Sequence, residues 1–459
     1  MEKSWDVVII GAGMSGLAAG IRLAHFGRRV IILEQCDRLG GLNTWFRREG
    51  HIFETGLHAV TNFAARDDRR APLNRLLRQL RLDRDQLGFC PQRGSVVRFG
   101  DTELRLGNGL SLLEREIDAG FPRDRDGFRA LVERILAEDC YSLHPRSLST
   151  RQVLREHLSE PLLAEMLLMP VLFYGGAQAH DMEFAQFCVL FRSCLCEGLW
   201  RPAGGIRALL SILETRYMEA GGELRLNTPA NRIELDDAYA RRVGIADGEA
   251  FDTKAVLSTA GYAETLRLCS PPPEGAEAWP AGRMSFVEAV FVLDQPASEL
   301  GFRETVRFEN SGPTLRFDPP EQLVDTHSRV LCAPDNFEGS DAPHAIRSTR
   351  LANHRLWFGL DADAYAAAKR RVLQQEAEAL ERSFPGASGR TVCTDLFTPR
   401  TIRRFTGHIN GAVYGSPRKQ RDGTTPVANL FVAGTDQGFL GIVGALMSGV
   451  SIANAHLVT

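Results

Sequence analysis

The chain has 459 residues, of which 44% are hydrophobic, and a formal net charge of −3. This length and apolar content suffice for a large core and for about two or three domains. The near-neutral charge provides no global basic field, so nucleic acid is excluded as an expected partner.

The first predicted elements are a strand, a glycine-rich turn, a helix and a second strand. Residues 7–10 and 30–33 are short apolar runs, which are typical of parallel strands buried on both faces. The helix between them carries an apolar face and is predicted to end at Gly27. The turn that joins the first strand to this helix has the sequence GAGMSG and consists of Gly11, Ala12, Gly13, Met14, Ser15 and Gly16.

The three glycines of this turn have separate tasks if it binds a dinucleotide. Gly11 permits the tight turn, Gly13 lets the backbone approach a pyrophosphate, and Gly16 lets the helix pack closely on the strand. Glu34, at the end of the second strand, can accept hydrogen bonds from a ribose diol. The unit predicts a dinucleotide site, and both NAD and FAD fit it because each places a pyrophosphate on a helix N-terminus.

The segment after Glu34 favours FAD over NAD. Gly40 and Gly41 allow a second close approach of the backbone to a long cofactor, more than a nicotinamide dinucleotide needs at that end.

The N-terminal segment resembles the signature of a flavoprotein superfamily that contains amine oxidases, phytoene desaturases, carotenoid isomerases and retinol saturases. The resemblance is carried by Glu34, Arg38, the Gly40-Gly41 pair, Thr44 and residues 55–58. The amine oxidase branch usually has arginine after the glycine pair, where this chain has Leu42, which favours the branches that act on polyenes. Besides the glycine turn with Met14 and Ser15, the resemblance implies FAD contacts from Glu34, Gln35, Arg38, Gly40, Gly41, Leu42, Asn43, Thr55, Gly56, Leu57 and His58.

Residues 69–84 are rich in arginine, and the leucines behind Pro72 fall at helical spacing. An acidic lipid surface is one partner that this pattern fits. A solvated amphipathic helix is the simpler interpretation.

Large apolar side chains are concentrated between residues 162 and 191. The longest apolar run, residues 166–177, is interrupted by Pro170 and is too short to span a bilayer. An apolar tunnel, a lip resting on a membrane and a helical core all fit this region. A peripheral membrane contact therefore stays open.

The cysteines indicate neither a disulfide framework nor a metal site. There are nine, an odd number at irregular spacing, which indicates reduced thiols and a cytoplasmic protein. Cys194 and Cys196 lie in an apolar stretch without a second cysteine pair, so no metal is expected. The first strand follows Met1–Asp6 directly, so no targeting segment is expected.

Segments in the middle of the chain extend the resemblance. The PAGGI segment at residues 202–206 resembles the helix start of the same superfamily, and the strands near residues 226–233 and 255–261 are implied to contact the cofactor through Ala230 and Ala260. Elsewhere, residues 286–293 predict a strand, and residues 362–384 predict a helix that stops at Pro385.

The C-terminal segment predicts a strand over residues 429–434 followed by a helix of small residues. Such a helix can direct free N–H groups at the pyrimidine edge of a flavin. The segment resembles the closing part of retinol saturases and phytoene desaturases, although many relatives place the acid one position earlier, so the choice between Thr435 and Asp436 stays open. The implied FAD contacts here are Gly434, Thr435, Asp436, Gly441, Ile442 and Val443.

The expected fold is α/β with an α+β substrate part. It is a Rossmann-like FAD-binding domain of the glutathione-reductase and amine-oxidase type, with a discontinuous substrate domain. The expected FAD-binding segments are residues 1–100, 200–264 and 395–459, and the substrate segments are residues 101–199 and 265–394. No oligomeric state is predicted.

The implied activity is FAD-dependent redox chemistry on an apolar polyene: desaturation, saturation or reductive cyclisation, or isomerisation of a carotenoid, a retinoid or a polyene polyketide such as a tetramate precursor. A flavin amine oxidase and a non-catalytic flavin-binding scaffold are the alternatives. His58 is the first acid–base candidate, followed by Tyr414 and His408 in the loop of residues 407–415. A reductive reaction would take electrons from NAD(P)H bound transiently, because no second dinucleotide motif is found.

Overall fold

The computed structural model describes residues 4–56 and 58–458. Within these residues the strands are β1 Trp5–Ile10, β2 Val30–Leu33, β3 Trp45–Arg48, β4 His51–Glu54, β5 Phe89–Pro91, β6 Ser95–Phe99, β7 Thr102–Leu106, β8 Trp200–Pro202, β9 Glu223–Arg225, β10 Ala230–Asp236, β11 Tyr239–Ile245, β12 Ala250–Ser258, β13 Cys269–Ser270, β14 Ser285–Leu293, β15 Val306–Asn310, β16 Ser328–Cys332, β17 Ala345–Ala352, β18 Thr391–Phe397 and β19 Leu430–Val432.

The α-helices of the same residues cover both sheets. They are α1 Met14–His25, α2 Pro72–Leu80, α3 Ser111–Gly120, α4 Arg125–Ala137, α5 Thr150–His157, α6 Pro161–Gly175, α7 Phe184–Phe191, α8 Gly205–Glu219, α9 Tyr262–Leu268, α10 His354–Gly359, α11 Ala362–Ser383, α12 Ala387–Arg390, α13 Pro399–Thr406 and α14 Gly441–Ile452.

The first sheet has a parallel part in the order β19-β12-β1-β2-β9, which β11 and β10 extend in antiparallel fashion from the first half of β12. Val7 and Ile9 of β1 pack into the core that includes α1, α8 and α14, while Val8 and Ile10 pack into a second core on the other face. Both faces of β1 are therefore buried, as its continuous apolar run predicts.

The second sheet has the order β18-β14-β17-β16-β15-β6-β7 and is antiparallel except between β15 and β6. One face packs against α6 and α7 in an apolar core that contains Phe286, Phe308 and Leu351. The opposite face packs against α11 through Phe291, Leu331 and Ile346. The predicted α/β fold class is confirmed.

The predicted elements are found close to their expected bounds. The strand predicted over residues 286–293 is β14, and the helix predicted over residues 362–384 is α11. Helix α2 begins at Pro72 and buries its leucines, as an amphipathic helix should. Helices α6 and α7 bury most of their side chains, as the helical-core interpretation of the apolar region expects, and a membrane contact stays a prediction.

Both sheets draw on distant parts of the chain, and strands β6 and β18 of the second sheet lie at the expected boundaries near residues 100 and 394. The domain limits stay a prediction. Within the part of the chain that the structure describes, no helix combines the length and apolarity needed to cross a bilayer.

Candidate functional site

The glycine turn between β1 and α1 leaves room for a ligand at Gly13. A Cβ built on Gly13 would have no atom of its surroundings within 4 Å, whereas one on Gly11 would lie 2.5 Å from the Thr259 hydroxyl oxygen. A Cβ on Gly16 would lie 2.0 Å from the Gly11 carbonyl oxygen, so Gly16 holds the helix against the turn. Helix α1 begins with buried Met14 and Ser15 and has no side-chain cap. Its N-terminus can therefore accept an electron-rich group.

Glu34 fixes the edge of the site next to this turn. Its buried carboxylate accepts a hydrogen bond from the Ala12 N–H at 2.8 Å and another from the Cys36 N–H at 2.9 Å. Burial raises the pKa of Glu34, which the backbone donors oppose. The side chain predicted to bind a ribose is thus held at the carboxyl end of β2.

Gln35 and Arg38, which follow Glu34, bond to neighbouring backbone groups. The Gln35 amide donates to the Phe405 carbonyl oxygen at 3.1 Å, and the Arg38 guanidinium donates to the Trp45 carbonyl oxygen at 2.8 Å. Both residues lie near the surface, at the rim of the site.

The second glycine pair adjoins the first turn. The Gly40 N–H donates to the Ala12 carbonyl oxygen at 2.9 Å, and a Cβ on Gly41 would lie 3.6 Å from the Gly13 Cα. The backbone of both glycine segments therefore borders one space.

Thr55 holds the loop after this pair. Its hydroxyl donates to the Leu42 carbonyl oxygen at 2.7 Å and accepts from the Thr44 N–H at 3.0 Å, which encloses Asn43. A Cβ on Gly56 would lie 2.7 Å from the same Leu42 oxygen. Leu57, another predicted contact, lies outside the described residues.

The middle segment supplies two further edges of the site. The Thr228 N–H, just before β10 and Ala230, donates to the Glu34 carbonyl oxygen at 2.7 Å. The Thr259 N–H, just before Ala260, donates to the Ile10 carbonyl oxygen at 2.9 Å. The predicted contacts Ala230 and Ala260 are thus brought to either side of the glycine turn.

The turn after β19 is organised by Asp436. Its buried carboxylate accepts hydrogen bonds from the Tyr262 and Ser416 N–H groups, both at 2.6 Å. Both carboxylate oxygens are thus occupied within the protein, while Thr435 is half-buried beside Gly434. A Cβ on Gly434 would lie 3.4 Å from the Ser15 hydroxyl oxygen, so this turn adjoins the start of α1.

Helix α14 is the predicted helix of small residues; it begins at Gly441 and also lacks a side-chain cap. Ile442 and Val443 of its first turn are buried in the core of the first sheet. A Cβ on Gly449 would lie 2.0 Å from the Ser15 carbonyl oxygen, so α14 and α1 cross backbone to backbone.

His58, the first acid–base candidate, contacts side chains of the second sheet. Its Nε2 lies 3.0 Å from the Thr349 hydroxyl oxygen and 3.4 Å from a carboxylate oxygen of Glu288. Arg347 forms an ion pair with the same carboxylate. Burial disfavours charge on Glu288, but Arg347 and His58 outweigh it and lower the pKa of Glu288 to about 2. Because ionised Glu288 can only accept, the Nε2 of His58 carries a proton when it bonds there.

Tyr414 and His58 each lie near the end of α6, whereas His408 lies elsewhere. The Tyr414 hydroxyl donates to the Phe173 carbonyl oxygen, and the rings of His58 and Tyr174 lie 6.3 Å apart. Burial raises the pKa of Tyr414. His408 instead bonds through Nδ1 to the Ala412 carbonyl oxygen at 2.8 Å. Burial raises the pKa of the neighbouring Glu264, and the proximity of His408 opposes that rise.

Several buried polar residues around the site were not predicted from the sequence. Glu288 had a signal, since it is the one charged residue in the apolar run of β14. Glu54 and Arg201 form a buried ion pair, and Glu54 also accepts from the Ile206 N–H at 2.7 Å, at the start of α8. Neither partner stands out in the sequence.

Lys419 is another residue that the sequence interpretation missed. Its ammonium donates to the carbonyl oxygens of Tyr414 at 2.8 Å and Thr435 at 3.0 Å. Burial lowers the pKa of Lys419 to about 8. The side chain ties the loop of Tyr414 to the turn after β19.

Aromatic side chains surround the end of α6 near His58 and Tyr414. The Tyr174 ring lies 5.3 Å from the Phe308 ring, and the Phe286 ring lies 5.9 Å from the Tyr414 ring. Tyr174 and Tyr414 are only partly buried, so this aromatic cluster borders open space.

The arrangement fits a dinucleotide cofactor that carries a flavin. The open position at Gly13, the fixed Glu34 carboxylate and two uncapped helices provide a pyrophosphate cradle, a ribose acceptor and backbone donors. When bound, FAD would supply a centre that accepts or donates hydride. The assignment of individual contacts stays a prediction.

Comparison with known proteins agrees with this geometry. The family model for flavin containing amine oxidoreductase matches residues 14–457. The phytoene desaturase (lycopene-forming) of Pseudescherichia vulneris is 26% identical, over 97% of this chain and 98% of its own. The chloroplastic prolycopene isomerase of Arabidopsis thaliana is 23% identical, over 99% and 82% respectively.

A solved oxidoreductase from Methanosarcina mazei has the same fold. It superposes with a TM-score of 0.69 at 15% identity, over 98% of this chain and all of its own. The match to the family model covers nearly the whole chain and includes the helix of the glycine turn and α14. The chain therefore belongs to the flavin-containing amine oxidoreductase family, and it is an FAD-dependent oxidoreductase.

Proposed function

We propose that this enzyme transfers hydride between FAD and a conjugated, apolar polyene, by desaturation, saturation or isomerisation of the chain. The observation that carries the proposal is the partly open aromatic cluster beside His58, together with Lys419, which ties Tyr414 of this cluster to Thr435 of the predicted flavin site. The names of the relatives, a phytoene desaturase and a prolycopene isomerase, support a substrate of this class.

The interior suits a long hydrocarbon better than an amine. The core beside α6 and α7 is lined by Phe173, Phe286 and Phe317, whose rings lie 5.6–6.5 Å apart. Aromatic faces pack well against a flat conjugated chain, and apolar burial contributes about 25 cal/mol per Å². Leu42, where amine oxidases usually carry arginine, also favours a polyene.

His58 is the residue that we propose to hold or move a proton at the substrate. Its Nε2 contacts the Glu288 carboxylate and the Thr349 hydroxyl, which fixes the orientation of the ring. Tyr414 orients the end of α6 through Phe173. Each group can therefore be held in place before the substrate enters.

An anaerobic mixing experiment tests the proposal. Purified protein that contains FAD is mixed with carotenoid, retinoid and other polyene candidates, with amines, and with NAD(P)H, while the flavin absorbance is recorded. We expect a polyene to bleach the flavin, or to be reduced once NAD(P)H has bleached it, with a change of two hydrogens in the product mass. Isomerisation would leave the mass unchanged and shift the polyene spectrum.

The same experiment separates the alternatives. Bleaching by amines without any change in a polyene would contradict the proposal in favour of an amine oxidase. A flavin that no candidate substrate or NAD(P)H reduces would favour a binding scaffold.

A further inference from the structure

A groove of about 280 Å³ lies beside the start of α14, away from the aromatic cluster. One wall is the loop of residues 138–148 after α4, and the other is formed by the turn before α14 and by the end of that helix. Val189 of α7 also lines the groove. The groove thus has an apolar side, with Leu143, Val189 and Phe439, and a polar side with Arg421 and Asp422.

Exposed apolar side chains occur in the loop that lines this groove and on α4 just before it. Leu136 is 56% exposed, Tyr141 is 49% exposed and Leu143 is 56% exposed, all within eight residues of the chain. Large side chains of this kind cost free energy in water unless they meet an apolar partner, and such patches mark binding surfaces.

Packed apolar residues separate the groove from the interior. The Tyr141 ring stacks on the Phe439 ring with centroids 5.9 Å apart. The next residue, Leu440, is buried, and its Cδ1 lies 2.9 Å from where a Cβ on Gly175 would be. Gly175 follows Tyr174 of the aromatic cluster. A chain of apolar contacts therefore leads from Tyr141 to the cluster near His58.

The loop has a fixed base and a weakly attached tip. Arg192 donates to the Ile135 and Glu138 carbonyl oxygens, and Arg421 donates to the Cys140 carbonyl oxygen at 2.9 Å. Within the described part of the chain, the hydrogen bonds of residues 141–147 stay inside the loop. Tyr141 can therefore leave Phe439 without breaking a hydrogen bond to another element.

We infer that this groove is the entrance through which the apolar conjugated substrate reaches the interior, with Tyr141 and Phe439 as its gate. The inference rests on the proposed polyene substrate. Exposed Leu143 would make the first contact with the polyene, and displacement of Tyr141 would open a path beside Leu440. An entrance controls the rates of binding and release together, which distinguishes it from a residue of the final binding site.

Stopped-flow binding of trans-parinaric acid, a fluorescent conjugated tetraene, to the FAD-loaded enzyme tests the inference. Ala455 lies exposed in the groove, so Ala455→Trp narrows the path without removing a core contact. We expect this variant to slow association and dissociation at least tenfold with little change in Kd. Tyr141→Ala should accelerate both rates severalfold.

Two control variants change similar side chains elsewhere. Tyr239 is 48% exposed on β11, and Ala362 is exposed at the start of α11. Tyr239→Ala and Ala362→Trp should leave both rates unchanged. FAD absorbance and thermal unfolding verify that each variant is folded.

The outcomes separate this inference from the proposed function. A wild-type enzyme that fails to bind the probe overturns the proposed function and the entrance with it. Wild-type binding with unchanged rates in both groove variants overturns the entrance alone. Unchanged rates combined with lost binding of Tyr141→Ala to phosphatidylcholine vesicles also overturn it, and identify the loop as a membrane contact.

Discussion

The two sheets contribute different chemical groups to the surroundings of the candidate site. At the edge of the first sheet, the site is built from glycines, backbone N–H groups and uncapped helix ends, with Glu34 as a fixed carboxylate. The second sheet buries ion pairs between side chains, such as Glu288 with Arg347 and Glu376 with Arg350. In the first region, glycines keep side chains out of the space that a cofactor must enter. In the second region, each buried charge needs a partner of opposite charge. Substitutions should therefore act on cofactor binding in the first region and on stability in the second.

The largest expected effect is at Gly13. Gly13→Val should fold, because its φ of −72° and ψ of 179° suit valine and the new Cβ meets no atom of its surroundings. It should lose FAD, since an overpacking cost of about 3 kcal/mol already weakens binding about a hundredfold. Flavin absorbance after gel filtration measures the loss. Gly312→Val, where the new Cβ also meets no atom of its surroundings, is the control. A Gly13→Val protein that keeps its flavin absorbance would contradict the placement of the FAD pyrophosphate at Gly13.

Removal of one member of the Glu288–Arg347 pair should cost stability. Glu288→Leu leaves a buried guanidinium without this carboxylate, which should lower the free energy of unfolding by about 3–5 kcal/mol. The double variant Glu288→Leu/Arg347→Met should recover most of the loss in chemical denaturation. Asp252→Asn, in the exposed pair with Arg242, should change the free energy of unfolding far less. Equal decreases in the free energy of unfolding for Glu288→Leu and Asp252→Asn would contradict the conclusion that buried ion pairs stabilise the second sheet.

The same pair predicts a pH dependence. Because the folded pKa of Glu288 is about 2 and its ordinary value is 4.5, the contribution of the pair is complete above pH 4.5 and is lost as the pH falls towards 2. The stability of the wild type relative to the double variant should fall by about 1.4 kcal/mol per pH unit in this window. Urea denaturation between pH 5 and the lowest pH at which both proteins fold measures it; a constant difference would contradict it.

The smallest expected effect is at Gly444 in α14. Alanine gains about 1 kcal/mol of helix propensity. However, its Cβ would lie 3.0 Å from the Phe439 carbonyl carbon, so the turn before the helix must shift. Gly444→Ala should therefore stay within about 1 kcal/mol of the wild type in stability but bind FAD several times more weakly. Thermal unfolding and FAD titration test this, with Gly389→Ala, in open space, as the control. Unchanged FAD affinity would show that the turn does not support the cofactor.

The sequence by itself determined the glycine turn with the helix after it, the position of Glu34 after the second strand, the C-terminal helix of small residues, and the strand and helix predicted at residues 286–293 and 362–384. These features are local: apolar periodicity sets the elements, and the absence of a Cβ at fixed spacing marks close approach of the backbone. The resemblance carried by the same short motifs led to the family.

Only the tertiary structure decided which side chains surround His58. Glu288 and Arg347 are 59 residues apart in the chain, and Thr349 is 291 residues from His58. The register of β14 against β17, where Glu288 lies opposite Thr349, brings them together. Lys419 likewise contacts the Thr435 carbonyl oxygen only because the loop that contains Tyr414 and Lys419 packs against the turn after β19. Such pairings depend on strand order and register, and no local pattern of residues encodes them, because the partners meet only after distant strands have paired.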